Sequence, residues 1–399
     1  MEIELSLIGT SSKRGDIEKL LKKFEQRTLH RVKLIFYGWD SAWARITSVA
    51  KSGTMPSVSE VGTSWVPDLA GMRMLRQVPD DIMKQLGGGK NFVPQSWRSC
   101  FLFGKPEMWA MPWISGSRVI YYRKDLLAKA KIDLDTAFAN PRFMLDAVDQ
   151  LQGMGIDLPW ITSNVKSLNT LHLISTWVWA GGGDFLSEDG WRLLFTEPGA
   201  LDSMTDFFHM GRFMGSKTPY TYSNAIDLFW RGDAAITMDG TWMYEDQKFS
   251  ANLNVLDNLG VALPPGPAFV GGSNLVVWAN KAEQEPAWEL VRFLSEPDSV
   301  LTMSGLTGLA PANLNILNSP EGLGRSFGPI FNRAIETGRS LSNHRFSAMV
   351  EDNLHYAFGL VWADLLKSPE NAPHDILKRY LLPLRDRLVV TMQSGTFQS

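Results

Sequence analysis

The sequence predicts an α/β protein of two domains, and two observations carry that prediction. Strand and amphipathic-helix signals alternate from the N-terminus to Val61, and the chain has 399 residues, long for one hydrophobic core and comfortable for two. The pattern opens with Ile3–Ile8, which reads as a strand. Ile17, Leu20, Leu21 and Phe24 then recur at helical spacing. Val32–Tyr37 is a second apolar, β-rich run, and Trp43, Ile46 and Val49 mark a second helix. Met55-Pro56 breaks the periodicity before Val58–Val61, a short buried strand. A βαβαβ run of this kind implies a parallel sheet with helices on both faces, and such sheets bind ligands beyond the carboxyl ends of their strands.

Further along, Trp109–Pro112 and Val119–Tyr122 read as short strands around Trp113, and Lys124–Lys131 as a helix. Pro198 opens another helix, with Leu201, Met204 and Phe208 on one face. Ala234–Met238 reads as a strand ending in Asp239-Gly240-Thr241-Trp242. Val261–Leu263 leads into Pro264-Pro265-Gly266-Pro267, the strongest breaker cluster in the chain. Leu275–Trp278 is again a strand, followed by a helix burying Ala287, Leu290, Val291 and Leu294. A long helix near residues 346–366 and one from Asp375, broken near Pro383, close the chain.

Composition bounds the function. Hydrophobic residues make up 44% and charged residues 20%, as in a folded, soluble chain. A net charge of -3 argues against nucleic acid or an anionic membrane as the main partner. No apolar run approaches the ~20 residues of a bilayer span. The lone Cys100 makes neither an internal disulfide nor a zinc cluster, and the six histidines contain no His-x-x-x-His pair, so no metal or cofactor is expected. No charged and apolar leader precedes the Ile3–Ile8 strand, which fits either a cytosolic chain or a mature form with a new Met1. The outlier is tryptophan, fifteen against eight tyrosines, which asks for an aromatic surface as well as a core.

Five segments, in order, resemble the family 1 extracellular solute-binding proteins, the maltose-binding-protein group. Lys51-Ser52-Gly53 with Pro56-Ser57-Val58 is similar to a family turn, Ser57 standing where an aspartate is usual. Met111-Pro112-Trp113 with Val119-Ile120-Tyr121-Tyr122-Arg123-Lys124-Asp125 resembles the central strand and helix. Phe229 and Arg231–Trp242 match a third segment, Gly271–Asn274 with Trp288–Leu294 a fourth, and Gly308–Ala312 a fifth. The resemblance implies the two-lobed periplasmic-binding-protein type II fold, each lobe a mixed sheet flanked by helices, with a ligand cleft between lobes. Lobe one is expected at 1–112 plus 271–313 and lobe two at 117–266 plus 317–399, with hinge crossings near 111–116, 264–270 and 310–317. It also implies a monomeric, extracytoplasmic receptor, periplasmic or lipid-anchored, that hands a carbohydrate to the membrane subunits of an ABC permease.

A sugar has apolar C–H faces and a rim of hydroxyls, so its site wants flat aromatic platforms and a ring of polar partners. Trp39, Trp65, Trp113, Trp179 and Trp242 are the platform candidates, each with a place in the core as its plain alternative. Trp43 and Trp288 lie inside helical patterns and read as core. For the polar rim the candidates are Ser12, Asp40, Ser64, Asp239, Gly272, Ser273 and Arg345. Asp40 and Asp239 have helix N-capping as a second reading. Gly181-Gly182-Gly183 reads as a turn, and His172 as a core histidine within reach of a cleft.

Other functions fit less well. Gly324-Arg325-Ser326-Phe327-Gly328 has the spacing of a nucleophile elbow, but a polar turn precedes it and Pro329 follows at once. A glycosidase needs two carboxylates across a sugar, for which Asp40, Glu107 and Asp239 are the candidates. Gly87-Gly88-Gly89-Lys90 lacks the Ser/Thr that a phosphate loop places on magnesium and reads as a surface turn. Within the same fold, a glycerol phosphodiester, polyamine or sugar acid is the alternative ligand. An anionic one would need an arginine such as Arg345, Arg118 or Arg14.

Overall fold

The computed structural model describes residues 1–9, 11–215, 218–247, 250–279, 284–323, 326–344 and 346–394. Its strands are, in chain order, β1 Glu2–Ile8, β2 Arg31–Tyr37, β3 Val58–Gly62, β4 Met111–Arg123, β5 Trp160–Ile161, β6 Ile236–Gly240, β7 Leu259–Ala262, β8 Val270–Val277 and β9 Ala310–Pro311. The chain divides into two compact units. Unit one is Met1–Gly116, Val270–Asn332 and Asn343–Ser347; unit two is Ser117–Phe269, Arg333–Ser342 and Ala348–Ser399.

In unit one β1 pairs parallel with β2 (Leu5 opposite Leu34) and with β3 (Leu5 opposite Val58). β3 pairs antiparallel with β8, Gly62 opposite Ser273, so the sheet is mixed. The helix Arg14–Thr28 covers it with Ile17, Leu20, Leu21 and Phe24, the four residues its periodicity singles out. The interior of this sheet carries a short polar chain. Ser6 Oγ donates to Ser59 Oγ at 2.7 Å, and Trp278 Nε1 donates to the same oxygen at 2.8 Å. Buried polar atoms paired in this way escape the desolvation cost of burial without a partner.

In unit two β4 pairs antiparallel with β6 (Ile120 opposite Met238) and with β7 (Ile120 opposite Ala262), while β5 runs parallel to β6. The helix Leu168–Ala180 buries ten of its residues, among them Leu171, Ile174, Trp177 and Trp179. It ends in the turn read at Gly181–Gly183, where Gly182 has φ +75° and a Cβ on Gly183 would meet Ala200 Cα at 2.9 Å. The triple glycine lets this helix end pack on the helix Pro198–His209.

Three expectations need correction. The two short strands around Trp113 are one strand, β4, buried along its whole length; burial on both faces removes the alternation that marks a half-exposed strand. The last helix, Pro373–Ser394, runs through Pro383 unbroken, held by Ile376, Leu377, Leu381, Leu384, Leu388 and Met392 on one buried face. The stretch 310–317 does not leave unit one, which continues to Asn332. Pro311 pairs with Ile114, the Val93 amide donates to Ala312 O at 2.9 Å, and the Asn332 amide reaches Leu317 O at 3.4 Å. Among the described residues no helix is long and apolar enough to cross a membrane.

Candidate functional site

Each unit builds an aromatic patch at the end of its sheet. In unit one the patch follows β3 and β1. Gly62 ends β3, and the turn Thr63–Trp65 lays the Trp65 ring where a Gly62 Cβ would stand, 3.1 Å away. Gly9, at φ +75°, gives the same room to Trp39, whose indole would lie 2.7 Å from a Cβ there. The Trp39 and Trp65 rings meet edge to face at 6.0 Å, and Trp43 packs on Trp65 at 5.5 Å. Trp65 is buried, whereas Trp39 is 39% exposed and offers the open face of the cluster.

On β3, two residues before Gly62, is Glu60, whose Oε2 accepts from the Ile8 amide at 2.7 Å. Burial pushes this carboxyl up to about 7, against the opposing effects of the Ser273 hydroxyl and the Ile8 amide. Ser273 is therefore buried on β8 beside Glu60 rather than displayed on a rim. Gly272 has φ +141°, and a Cβ there would stand 2.2 Å from Ile114 O, so close strand packing accounts for this glycine. Ser12 is exposed in the short turn Ser11–Lys13, and Ser64 is half-buried. Asp40 sits in the first turn of the helix Trp39–Ser52, whose N-cap position is occupied by Gly38.

In unit two the patch forms where β4 and β6 run side by side. Arg118 on β4 stands opposite Gly240 on β6, and Val119 opposite Asp239. The buried guanidinium of Arg118 lies over the Trp242 ring at 4.5 Å and near Phe269 at 5.7 Å. Its Nε donates to Asn169 Oδ1 at 2.8 Å, and its Nη2 meets His172 Nδ1 at 2.7 Å. Arginine has no acceptor, so His172 Nδ1 must accept and its proton must reside on Nε2. Burial first, then Arg118, holds the His172 pKa well below the usual range, consistent with a neutral ring. The His172 ring stacks on Phe269 at 3.9 Å, and the Trp179 ring lies parallel to Phe269 at 6.4 Å. The Arg339 guanidinium lies over the Trp179 ring at 5.0 Å and pairs with Asp184 at 2.8 Å.

Asp239 is buried within β6, and its Oδ1 takes the Gly240 amide at 2.6 Å rather than capping a helix. Burial raises its pKa to about 6, while Arg118 and the Gly240 amide pull the other way. The Tyr222 hydroxyl accepts from the indole Nε1 of Trp242 at 3.4 Å. Trp242 is half-buried, and its ring lies 2.3 Å from where a Gly240 Cβ would be.

Of the five tryptophans expected as platforms, four belong to these patches: Trp39 and Trp65 in unit one, Trp179 and Trp242 in unit two. Trp113 belongs to the core. It is 1% exposed and its Nε1 donates to Leu294 O at 3.0 Å, so it has no face to offer. Arg345 lies outside the described residues. So do Gly324 and Arg325 of the elbow-like motif; the residues before them form the helix Pro320–Leu323, not the strand an elbow requires. Sequence reasoning left out Tyr222, Asn169, Phe269 and Glu60, and gave Arg118 only a conditional part. An arginine and a glutamate inside otherwise apolar strands were the available signal.

Comparison with known proteins places these features in a wider group. Residues 19–322 match the family model described as bacterial extracellular solute-binding protein. A binding protein of Brucella abortus is 25% identical over 324 residues, which cover 78% of this chain and 76% of the relative. The diacetylchitobiose-binding protein of Streptomyces coelicolor is 23% identical over 288 residues, 68% of this chain and 64% of that protein. Among solved structures, the maltose-bound MalE3 of T. maritima superposes with a TM-score of 0.80 at 20% identity, over 96% of this chain and 99% of that one. The two-lobed α/β fold of the periplasmic binding proteins is thus the fold of this chain.

Proposed function

Because this chain belongs to the bacterial extracellular solute-binding proteins, we propose that it is the substrate-binding component of an ABC importer for a mono- or oligosaccharide. The observation that carries the carbohydrate reading is Trp242. Its half-buried indole packs against Gly240, donates to the Tyr222 hydroxyl and carries the Arg118 guanidinium over its ring, an apolar platform set among polar groups. The open ring of Trp39 over Trp65 supplies a second platform of the same kind. A saccharide presents the matching surface, C–H faces for the rings and hydroxyls for the rim. The diacetylchitobiose-binding relative supports the same ligand class.

In this reading the protein acts outside the cytoplasm as a monomer, passes its ligand to permease subunits and does no chemistry on it. Ser12, Asp40, Ser64 and Arg345 stay as rim candidates beside Trp39, Trp65, Trp179, Asp239 and Trp242; Gly272 and Ser273 contribute by shaping β8. A thermal-shift screen against saccharides, phosphodiesters and polyamines tests the assignment, since a ligand that binds only the native state raises the melting temperature. A shift confined to saccharides supports it; a response only to polyamines or phosphodiesters contradicts it.

A further inference from the structure

Arg118 is a cation in the interior of unit two, and among the described residues no carboxylate lies within ion-pair distance of it. Its two hydrogen bonds go to neutral acceptors, Asn169 Oδ1 and His172 Nδ1. Two rings lie against it, Trp242 at 4.5 Å and Phe269 at 5.7 Å. The acid whose charge it feels most is Asp239, which burial raises to about 6 and which makes no ion pair with it. A buried charge normally has a hydrogen-bonded counter-charge, because its desolvation is costly without one.

What remains of the guanidinium is its far end. Nε and one proton of Nη2 are spent, which leaves the Nη1 protons and the second Nη2 proton. Together these form the coplanar pair of donors that matches the two oxygens of a carboxylate. The neighbouring guanidinium on the same aromatic row, Arg339, is already paired with Asp184.

We propose that Arg118 is a specificity-determining residue whose free donor pair takes the carboxylate of an acidic sugar, so that the ligand is a uronate-containing saccharide rather than a neutral one. The inference rests on the receptor reading above and narrows it. Trp242 holds the guanidinium plane from one face, and Asn169 and His172 fix its rotation, so the donor pair is set before ligand arrives. A flat, singly charged carboxylate suits this single fork. A doubly charged phosphate monoester would ask for a second cation.

The test is calorimetric titration of the intact protein with glucuronate- and galacturonate-containing oligosaccharides, their neutral counterparts and glycerophosphocholine. The acidic sugars are expected to bind about tenfold or more tighter than the neutral ones. Arg118→Gln should abolish that preference, and Arg118→Lys, which keeps the charge without the fork, should retain only part of it. Melting temperatures of both variants report whether the fold survives. Tighter binding of neutral saccharides than of their acidic counterparts overturns the inference and leaves the sugar receptor standing, as does a preference unchanged in a folded Arg118→Gln. Preference for glycerophosphocholine overturns the carboxylate assignment, and binding of no saccharide at all overturns the receptor reading with it.

Discussion

The carboxyl of Glu60 accepts the backbone amide of Ile8 at 2.7 Å inside the sheet of unit one, where only 3% of Glu60 is exposed. The bond needs only an acceptor oxygen, which the protonated acid keeps. Burial favours that neutral form and moves the pKa from 4.5 to about 7. Between these values the folded protein binds a proton that the unfolded chain does not. The stabilisation is therefore complete below pH 4.5 and lost as the pH rises through about 7. Glu60→Gln, which keeps the acceptor and removes the charge, should raise stability at pH 8 by roughly 1–3 kcal/mol and leave it unchanged near pH 4. Urea unfolding at the two pH values checks this; a variant less stable at pH 8 would mean that the charged carboxylate itself supports the strand.

Gly240 and Trp242 are bound by a steric condition. A Cβ on Gly240 would fall 2.3 Å from three ring atoms of the indole. Gly240→Ala should displace the ring from Arg118 and Tyr222 and cost roughly 1–3 kcal/mol of saccharide affinity or stability. Near-ultraviolet circular dichroism, which reports the tryptophan environment, should change with it. An unchanged spectrum together with unchanged affinity would show that the indole position does not matter.

Trp113 and Trp242 should separate cleanly. Trp113→Ala removes a buried ring and its bond to Leu294 O and should lower stability by roughly 3–5 kcal/mol. Trp242→Ala should leave the melting temperature of the free protein nearly unchanged and weaken saccharide binding by roughly 1–3 kcal/mol. A large loss of free-state stability in Trp242→Ala with affinity intact would make Trp242 a core residue.

The order of the elements was legible because periodicity reports one buried face: Ile17, Leu20, Leu21 and Phe24, or Ala287, Leu290, Val291 and Leu294, lie inside as their spacing says. Signals failed where that condition lapses. β4 is buried on both faces and reads as two fragments, and Pro383 reads as a break although apolar residues on either side carry the helix across it. The site was legible only by residue type. That Trp242 sits near a strand end could be read from Gly240-Thr241-Trp242, whereas the meeting of Arg118 with Asn169 and His172 joins residues 51 and 54 positions apart. No local pattern encodes that pairing. The same limit put Trp113 among the platforms: a tryptophan beside a proline at a strand start looks alike whether its ring faces solvent or Leu294.

The most direct measurement is calorimetric titration of the purified protein with the saccharide that gives the largest thermal shift, followed by mass analysis of the ligand recovered from the complex. Saturable, one-to-one binding with the saccharide recovered intact is the expected result for a receptor that binds and releases its solute. A cleaved or otherwise altered sugar, or the absence of saccharide binding, would contradict it.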